Sequence, residues 1–454
     1  MVVIRYDPSV TLRHAWIAVA LLGSGCGLLR VLDPPEDAAA RDATVRDATT
    51  LADRACLATA ETCNGADDDC DERVDEDADV CAPGQACVEG ACVCDGALCD
   101  GECVDLDSDP RHCGACGVSC DGVCSEGACC VAQSPPIDVL LVIDTSNSMV
   151  EEQGAFGSLL RSFLERWDAP LGSLPALDSV HVGVITPDLG SPYTLPGCTA
   201  EGDNGEMQTR SRGGACAGDV FPRFLSFTPD RGERDRAEEF LRCVMQVGTG
   251  GCGFEQPLEA SLKALTPSAT GRRFFQNAPG LGDTTHDGFL RPDSILVVAF
   301  VTDEDDCSVE DPEVMNPSST TYSGDLNLRC HTHPEALHRL LRYREGLAEL
   351  HPPEDTILLV IGGVPPRLVE ADAGTILDAP EMQETIDPSM NRLMASCTSG
   401  SGDAYPPRRL VELAGEIQGD GGAAIFGSVC APGLGAPLER TLEAIADRYE
   451  LACA

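Results

Sequence analysis

Two strand-like segments of the sequence end in carboxylates that are followed by further oxygen-bearing side chains. In "DVLLVIDTSNSMVEEQ" an apolar run stops at Asp144, and Ser146 and Ser148 follow at alternate positions. A later apolar run stops at Asp303 and opens the acidic stretch "DEDD". Hydroxyl and carboxylate oxygens are the ligands that hard divalent cations prefer. The pattern predicts a metal site with few carboxylates, whose cation keeps a position for an acidic side chain of another protein.

Alternating strands and helices must position these groups. Near-continuous apolar strands separated by helices predict an α/β domain with a mostly parallel sheet covered on both faces. Such sheets place ligand sites at the carboxyl ends of their strands. The predicted strands are 137–144, 179–186, 293–303, 355–363 and 422–429, and the predicted helices are 152–167, about 255–266, 334–350 and 436–451.

The Asp-x-Ser-x-Ser pattern after the first strand, with Asp303 after a later one, resembles the von Willebrand factor A domain. The resemblance covers about residues 135–454. It implies that residues 131–454 form a doubly wound, Rossmann-like α/β domain. It also implies that Asp144, Ser146, Ser148 and Asp303 hold Mg²⁺, or Ca²⁺ or Mn²⁺, in cation-dependent adhesion.

Members of that family add a threonine ligand from a second loop. In "VGTGGCGFEQPLEA" the corresponding position falls near Glu255, and Thr249 lies upstream. Both residues remain candidates, and Glu255 would favour Ca²⁺ or Mn²⁺ because it adds negative charge. The alternative for the first motif is that "TSNS" only caps the helix predicted at 152–167.

A second acidic segment, "ETCNGADDDCDERVDED" at residues 61–77, precedes this domain. It resembles a short acidic metal-binding motif of secreted bacterial surface proteins and, more distantly, the calcium repeats of thrombospondin. Those repeats usually carry Gly where this chain has Glu72, so we predict only weak Ca²⁺ binding in the motif at 56–80. The alternative is a solvated acidic run closed by a disulfide between Cys63 and Cys70. The candidate ligands are Asp67, Asp69, Asp71 and Asp75.

The 25 cysteines indicate an oxidising compartment. Residues 81–130 have little apolar content, so disulfides must replace a core. "CVDLDSDPRHCGACGVSC" resembles the cysteine repeat of the stigma-specific protein family, which implies a stapled stalk or small interaction module. Cys113-x2-Cys116 also has the spacing of zinc ligands, which is the alternative.

Fifteen cysteines lie between Cys56 and Cys130 and nine between Cys198 and Cys453. Both counts are odd, so full oxidation requires a bridge between the two groups, and we predict Cys130–Cys453. The local pairs that we expect are Cys198–Cys216, Cys243–Cys252, Cys307–Cys330 and Cys397–Cys430.

The N-terminus has the features of an export signal. Arg5 and Arg13 precede "AWIAVALLGSGC", an apolar run too short for a membrane helix. It resembles a bacterial lipoprotein signal, which implies that residues 1–25 are removed and that Cys26 is lipidated in the outer membrane. Plain secretion or periplasmic release is the alternative. Residues 26–55 lack the apolar content for a core and are predicted to be a disordered, flexible linker.

The net charge of -44 argues against nucleic acid and anionic lipid surfaces as partners. No serine elbow, phosphate-binding glycine loop or metalloprotease helix motif occurs in the sequence, so we predict no enzymatic activity. The sequence therefore predicts an exported, lipid-anchored cell-envelope protein that binds an unidentified protein through a cation. The alternatives are a structural envelope lipoprotein with a vestigial metal site and an accessory subunit of an enzyme complex.

Overall fold

The structure is a computed structural model with two compact units, residues 1–6 with 130–454 and residues 7–129. It describes residues 3–5, 59–76, 81, 85–94, 96–120, 122–149, 179–228, 231–400, 402–433, 435–448 and 450–453. Cys26, the linker at 26–55 and the helix predicted at 152–167 lie outside the described residues.

The larger unit contains a mixed sheet of six strands, which are β1 (Ile137–Ile143), β2 (Val180–Ile185), β3 (Phe224–Phe227), β4 (Ile295–Val301), β5 (Thr356–Gly362) and β6 (Ala423–Ser428). Their order in the sheet is β3-β2-β1-β4-β5-β6. Strand β3 runs antiparallel to β2, and the other neighbours are parallel. The α/β class and the largely parallel sheet are thus confirmed, while the short edge strand β3 was not predicted.

The helices of this unit differ from the sequence-based pattern in number and extent. The helices within the described residues are α1 (Arg231–Val244), α2 (Pro257–Leu265), α3 (Arg329–Thr332), α4 (Leu341–Leu350), α5 (Ala373–Asp378), α6 (Arg408–Gly419) and α7 (Gly435–Ala446). The predicted helix 334–350 is a 3-10 turn at Pro334–Ala336 followed by the separate helix α4. Helices α1, α3, α5 and α6 were not predicted. None of the helices in this described part has the length and apolar character needed to cross a membrane.

The hydrophobic core explains why the strands read as continuous apolar runs. Every residue of β1, β4 and β5 is buried, and successive side chains of a strand point to opposite faces, so both faces of the central sheet are covered. On one face, Leu140 and Leu296 belong to a core cluster with Leu262 of α2 and Leu410 of α6. Because β1 and β4 pair in parallel, Ile143 lies opposite Val301 and the chain leaves both strands at the same edge.

A buried ion pair holds the opposite edge of the sheet. Asp138 of β1 is fully buried, and Arg291 donates to it from its backbone N–H at 2.7 Å and from Nε at 2.8 Å. Arg291 Nη2 also donates to the carbonyl of Ile137 at 2.8 Å. The guanidinium therefore both neutralises the carboxylate and ties β1 to the segment that leads into β4.

The disulfides of the larger unit correct two predicted pairs. The predicted pairs Cys198–Cys216 and Cys243–Cys252 are wrong, and Cys307–Cys330 and Cys397–Cys430 are confirmed. A Cβ on Gly197 would lie 2.4 Å from the Gly251 carbonyl oxygen, so the two loops are in contact. The observed pairs follow from this path of the chain, and they are Cys198–Cys252 and Cys216–Cys243.

The C-terminal segment is a strand rather than the end of a helix. Helix α7 ends at Ala446, and Glu450–Cys453 pairs antiparallel with residues 130–133, with Cys130 directly opposite Cys453. Val3–Arg5 pairs with the other edge of Glu450–Cys453. Removal of residues 1–25 would remove this outer strand, and the export signal stays a prediction.

We expect Cys130 and Cys453 to form a disulfide. Cys130 is disulfide-bonded, and the antiparallel register places Cys453 beside it. Peptide mapping of the unreduced protein should yield one peptide pair joining the two cysteines. A mapped bond from Cys130 to any other cysteine would contradict this prediction, and the Cys130→Ser variant should leave Cys453 open to alkylation.

The smaller unit is held together by disulfides, as predicted. Its strands are short, with Ala86–Val88 paired to Ala91–Val93 and Ala97–Cys99 paired to Glu102–Val104. Cys63 bonds Cys87 rather than Cys70, which corrects that prediction. Because Cys113 and Cys116 both lie in disulfides, their thiols are not available to zinc. The other pairs described are Cys81–Cys92, Cys94–Cys103, Cys99–Cys116, Cys113–Cys124 and Cys120–Cys129.

Candidate functional site

Asp144 and Thr302 emerge side by side at the carboxyl edge of the sheet, because the strands before them pair in register. The backbone N–H of Asp144 donates to the carbonyl of Val301 at 3.0 Å. Asp144 Oδ2 accepts from Thr302 Oγ1 at 2.6 Å, and Asp144 Oδ1 accepts from the Ser146 N–H at 2.6 Å. These bonds fix the buried Asp144 carboxylate beneath the loop that carries the two serines.

The structure brings the two serines together with Asp303. Ser146 Oγ lies 2.9 Å from Ser148 Oγ and 3.4 Å from Asp303 Oδ1. Ser148 lies in the 3-10 turn Asn147–Met149, whose Met149 is buried and anchors the turn. Ser148 itself is exposed to solvent. Three residues of the first motif and Asp303 of the second therefore form one cluster, the sheet-edge cluster, that opens to solvent on the serine side.

The loop before α2 contributes Glu255 to this cluster. Glu255 Oε1 accepts from the Thr145 N–H at 3.0 Å, and the Gly251 N–H donates to the Thr145 carbonyl at 3.3 Å. Glycine is required for this approach, because a Cβ on Gly251 would lie 2.0 Å from Thr145 Oγ1. Among the described residues, no hydrogen bond connects Thr249 with the cluster. The structure therefore places Glu255, rather than Thr249, beside Asp144.

The cluster concentrates negative charge in a water-poor site. Burial and the Asp144 charge raise the pKa of Glu255 well above its usual value, and raise the pKa of Asp303 to about 7. Burial, Asp144 and Asp303 together raise the pKa of Glu304 to about 8. Within the described part of the chain, no arginine, lysine or histidine forms an ion pair with Glu255, Asp303 or Glu304. The cluster therefore lacks compensating positive charge from these residues.

Glu255 also carries a buried oxygen without a donor. Its Oε2 accepts no hydrogen bond from the described residues, although the side chain is only 2% exposed. A buried polar atom without a partner costs about 1–3 kcal/mol, and more when it is charged. The donor set consists of oxygen atoms alone, which fits Mg²⁺, Ca²⁺ or Mn²⁺ and not a thiolate-preferring metal.

The rest of the "DEDD" stretch has a structural role. Asp306 Oδ1 accepts from the Leu258 N–H at 3.0 Å in the first turn of α2, and Asp305 accepts from the Arg409 N–H at 3.0 Å at the start of α6.

Glu304 was not predicted as a site residue. Its signal in the sequence was its place directly after Asp303.

The acidic segment of the smaller unit contains two groups of three carboxylates whose ligand oxygens lie within 4.8 Å of one another. Asp69 belongs to both groups, and partial burial together with the charge of Asp71 raises its pKa. Asp75 lies outside them, because it accepts from the N–H groups of Asn64 and Gly65. The groups are Glu61, Asp67 and Asp69, and Asp69, Asp71 and Glu76.

Backbone hydrogen bonds already occupy much of this acidic segment. Asp67 Oδ1 accepts from the Cys70 N–H at 2.6 Å, and Glu61 Oε1 accepts from the Asp68 N–H at 2.7 Å. Glu72, at the position where calcium repeats carry Gly, has a φ of 74°, in the left-handed region that favours glycine. Metal binding would have to compete with these bonds.

We therefore expect the acidic segment to bind Ca²⁺ weakly, in the millimolar range of extracellular modules. The measurement is a calcium titration of the full chain carrying Asp144→Ala, which separates this segment from the sheet-edge cluster. Adding Asp69→Asn and Asp71→Asn should remove the remaining binding. Micromolar affinity, or no binding at all before those two changes, would contradict the prediction.

Comparisons with known proteins assign no family to this chain. No family model and no curated protein matches the sequence. Among solved structures, proximal thread matrix protein 1 from the mussel byssus is similar over 51% of this chain and 39% of that chain. The sequence identity is 10% and the TM-score is 0.23, a likeness that carries no argument about fold or function.

Proposed function

We propose that this chain is an exported cell-envelope protein whose larger unit is a von Willebrand factor A-type domain. Its sheet-edge cluster binds a divalent cation, Mg²⁺ first, and through it an acidic side chain of another protein. The observation that carries the proposal is the cluster of Asp144, Asp303, Glu255 and two serine hydroxyls, in which a buried Glu255 oxygen has no donor.

The topology of the sheet supports this proposal. The order β3-β2-β1-β4-β5-β6, with β3 antiparallel at the edge, agrees with a doubly wound, Rossmann-like sheet. In such sheets ligands bind beyond the carboxyl ends of the strands where the strand order reverses. Here that place lies between β1 and β4, the two strands that lead to Asp144 and Asp303.

Each residue of the cluster has a distinct part in the proposed binding. Ser146 and Ser148 offer neutral oxygens, so they hold a cation without neutralising it. Asp144 and Asp303 bind it directly or through water. A cation bound at this place would supply positive charge and an open coordination position for the carboxylate of a partner protein. The exposed Ser148 side is the direction from which a partner can approach.

The disulfides support export, since they form and persist in oxidising compartments. We propose anchoring to the outer membrane through lipidated Cys26. An anchored cation-binding domain fits reversible adhesion to an acidic protein, and no nucleic acid is involved. A structural envelope protein with a vestigial metal site remains the second candidate, and the accessory-subunit role has no supporting contact in the described residues.

Thermal unfolding of the full chain with and without cations tests the proposal. We expect Mg²⁺, Mn²⁺ or Ca²⁺ at millimolar concentration to raise the melting temperature, and a chelator to reverse the rise. Because the acidic segment of residues 61–76 can also respond to Ca²⁺, the Mg²⁺ response is the diagnostic one. A wild-type protein that shows no rise with any of these ions would favour the structural role.

A further inference from the structure

Lys263 is the only lysine of the chain, and it is buried. It lies in α2, against the loop that contains Asn204 and Gly205. Gly205 has a φ of 70°, and a Cβ there would lie 3.2 Å from the Ala260 carbonyl oxygen and 3.6 Å from Lys263 Cδ. Asn204 has a φ of 58°, a conformation that asparagine adopts more readily than most residues. The loop backbone therefore packs closely on the helix at the lysine.

The lysine amine contacts a side-chain amide. Lys263 Nζ donates a hydrogen bond to Asn204 Oδ1. The amide carbon Cγ is one bond beyond that oxygen, and attack on it requires Nζ to shift from the plane of the amide, where the hydrogen bond holds it, to the face of the amide. Asn204 is only partly buried, which leaves a route to solvent for a small leaving molecule.

The nearby carboxylates do not form an ion pair with this amine in the structure. Glu259 Oε2 accepts from Arg342 Nε at 2.9 Å and from the Tyr343 hydroxyl at 3.1 Å, so Glu259 is committed to other donors. Burial lowers the pKa of Lys263 to about 8, although Glu259 and Glu206 act in the opposite direction. The neutral, nucleophilic amine is thus far more populated at neutral pH than in an exposed lysine.

We propose that Lys263 and Asn204 form a covalent amide cross-link within the folded domain. The Nζ lone pair attacks Asn204 Cγ to form a new C–N bond, and the bond from Cγ to Nδ2 breaks. A proton passes from Nζ to the departing nitrogen, which leaves as ammonia, so the reaction needs no oxidant and no cofactor. Glu206, two residues after Asn204, is the carboxylate that we assign to carry this proton. Its Oε2 accepts from Arg223 Nη1 at 3.3 Å, which leaves Oε1 for the transfer.

The cross-link would join two segments that flank the sheet-edge cluster. The first segment is the loop after β2, which contains Asn204 and in which Asp188 accepts from the Cys252 N–H at 3.2 Å. The second segment is α2, which begins just after Glu255 and carries Lys263. The linked residues are 59 positions apart in the chain. A bond between them closes a large loop and holds the start of α2 against the loop after β2.

Because the chain has one lysine, a lysine-specific endoproteinase gives a direct test on the reduced, alkylated and denatured full chain. We expect an intact mass lower by one ammonia, about 17 Da. A second digestion, with an arginine-specific protease, should release a branched peptide that joins Asn204 and Lys263. Cleavage after Lys263 should fail. A succinimide at Asn204–Gly205 would give the same mass loss, but it would leave Lys263 cleavable, and that result would overturn the proposal. Full cleavage at the unmodified mass would also overturn it.

Asn204→Gly is the matched control, because glycine keeps the positive φ and removes the amide. This variant, and Lys263→Arg, should have the mass expected from their sequences, and Asn204→Gly should be cut once after Lys263. Glu206→Gln should leave most of the chain uncross-linked. Complete cross-linking in Glu206→Gln would remove Glu206 from the proposed mechanism.

Discussion

Asp144→Ala is expected to abolish the stabilisation of the domain by divalent cations. A cation at 100 times its dissociation constant adds about 2.7 kcal/mol to the free energy of unfolding, and the variant should lose all of it. Asp144 is the centre of the cluster, because Ser146 and Thr302 both donate to it and its charge raises the pKa of Glu255 and Asp303. Melting curves with and without Mg²⁺ measure the difference.

The variant should still fold without a cation. Alanine removes the hydrogen bonds from Ser146 and Thr302, but it also removes the carboxylate that repels Glu255, Asp303 and Glu304, and these effects oppose each other. Asp372→Ala is the matched control: Asp372 caps α5 by accepting from the Thr375 N–H at 2.9 Å, away from the cluster. Asp372→Ala should keep the full Mg²⁺ response. An undiminished Mg²⁺ response in Asp144→Ala would place the cation elsewhere.

Arg291→Ala should lower the free energy of unfolding by about 3–5 kcal/mol, the cost of leaving one member of a buried pair without its partner. Asp138 is completely buried, and Arg291 Nη2 lies 2.6 Å from its Oδ1. Without the guanidinium, the buried carboxylate loses its arginine partner and keeps the backbone N–H of residue 291 and the His181 ring, whose Nδ1 lies 3.4 Å from Asp138 Oδ1. Urea denaturation at neutral pH measures the loss.

Two further variants separate the buried charge from simple loss of side-chain packing. Arg236→Ala removes an exposed i,i+3 partner of Glu233, and it should change stability by no more than about 1 kcal/mol. Adding Asp138→Asn to Arg291→Ala should recover part of the loss, because the unpaired charge is then gone. If Arg291→Ala cost as little as Arg236→Ala, the ion pair would not hold this edge of the sheet.

The sheet and the sheet-edge cluster could be predicted because they follow from short-range patterns. Each of β1, β4 and β5 is a run of apolar residues, and a residue directly after a parallel strand must lie at the carboxyl edge. Asp144 comes directly after β1, and Asp303 follows β4 after one intervening residue, Thr302, so strand pairing brings both carboxylates to the same edge. The spacing of Ser146 and Ser148 adds two hydroxyls on the same loop.

The remaining features depend on the path of the loops, which local patterns do not encode. Glu255 was a candidate only through the family resemblance, which left Thr249 equally open. The contact of Glu255 with Thr145 depends on Gly251, which lets two backbones approach. The same loop brings Cys252 to Cys198, so the predicted pairing of neighbouring cysteines failed. Helix α6 was missed for a different reason, because its signal was present in the sequence. Its buried apolar residues repeat with helical spacing, and they are Leu410, Val411, Leu413, Ala414 and Ile417.

The Cys198–Cys252 bond also determines what a peptidase can do to the domain. Arg212 lies between the two cysteines, and its side chain is 44% exposed. A cut after Arg212 adds one water and opens the backbone, but the two pieces stay joined through the disulfide, so they separate only when a reductant is added. Proteolysis between Cys198 and Cys252 would therefore leave the start of α2 covalently linked to the loop after β2, and no fragment would be released.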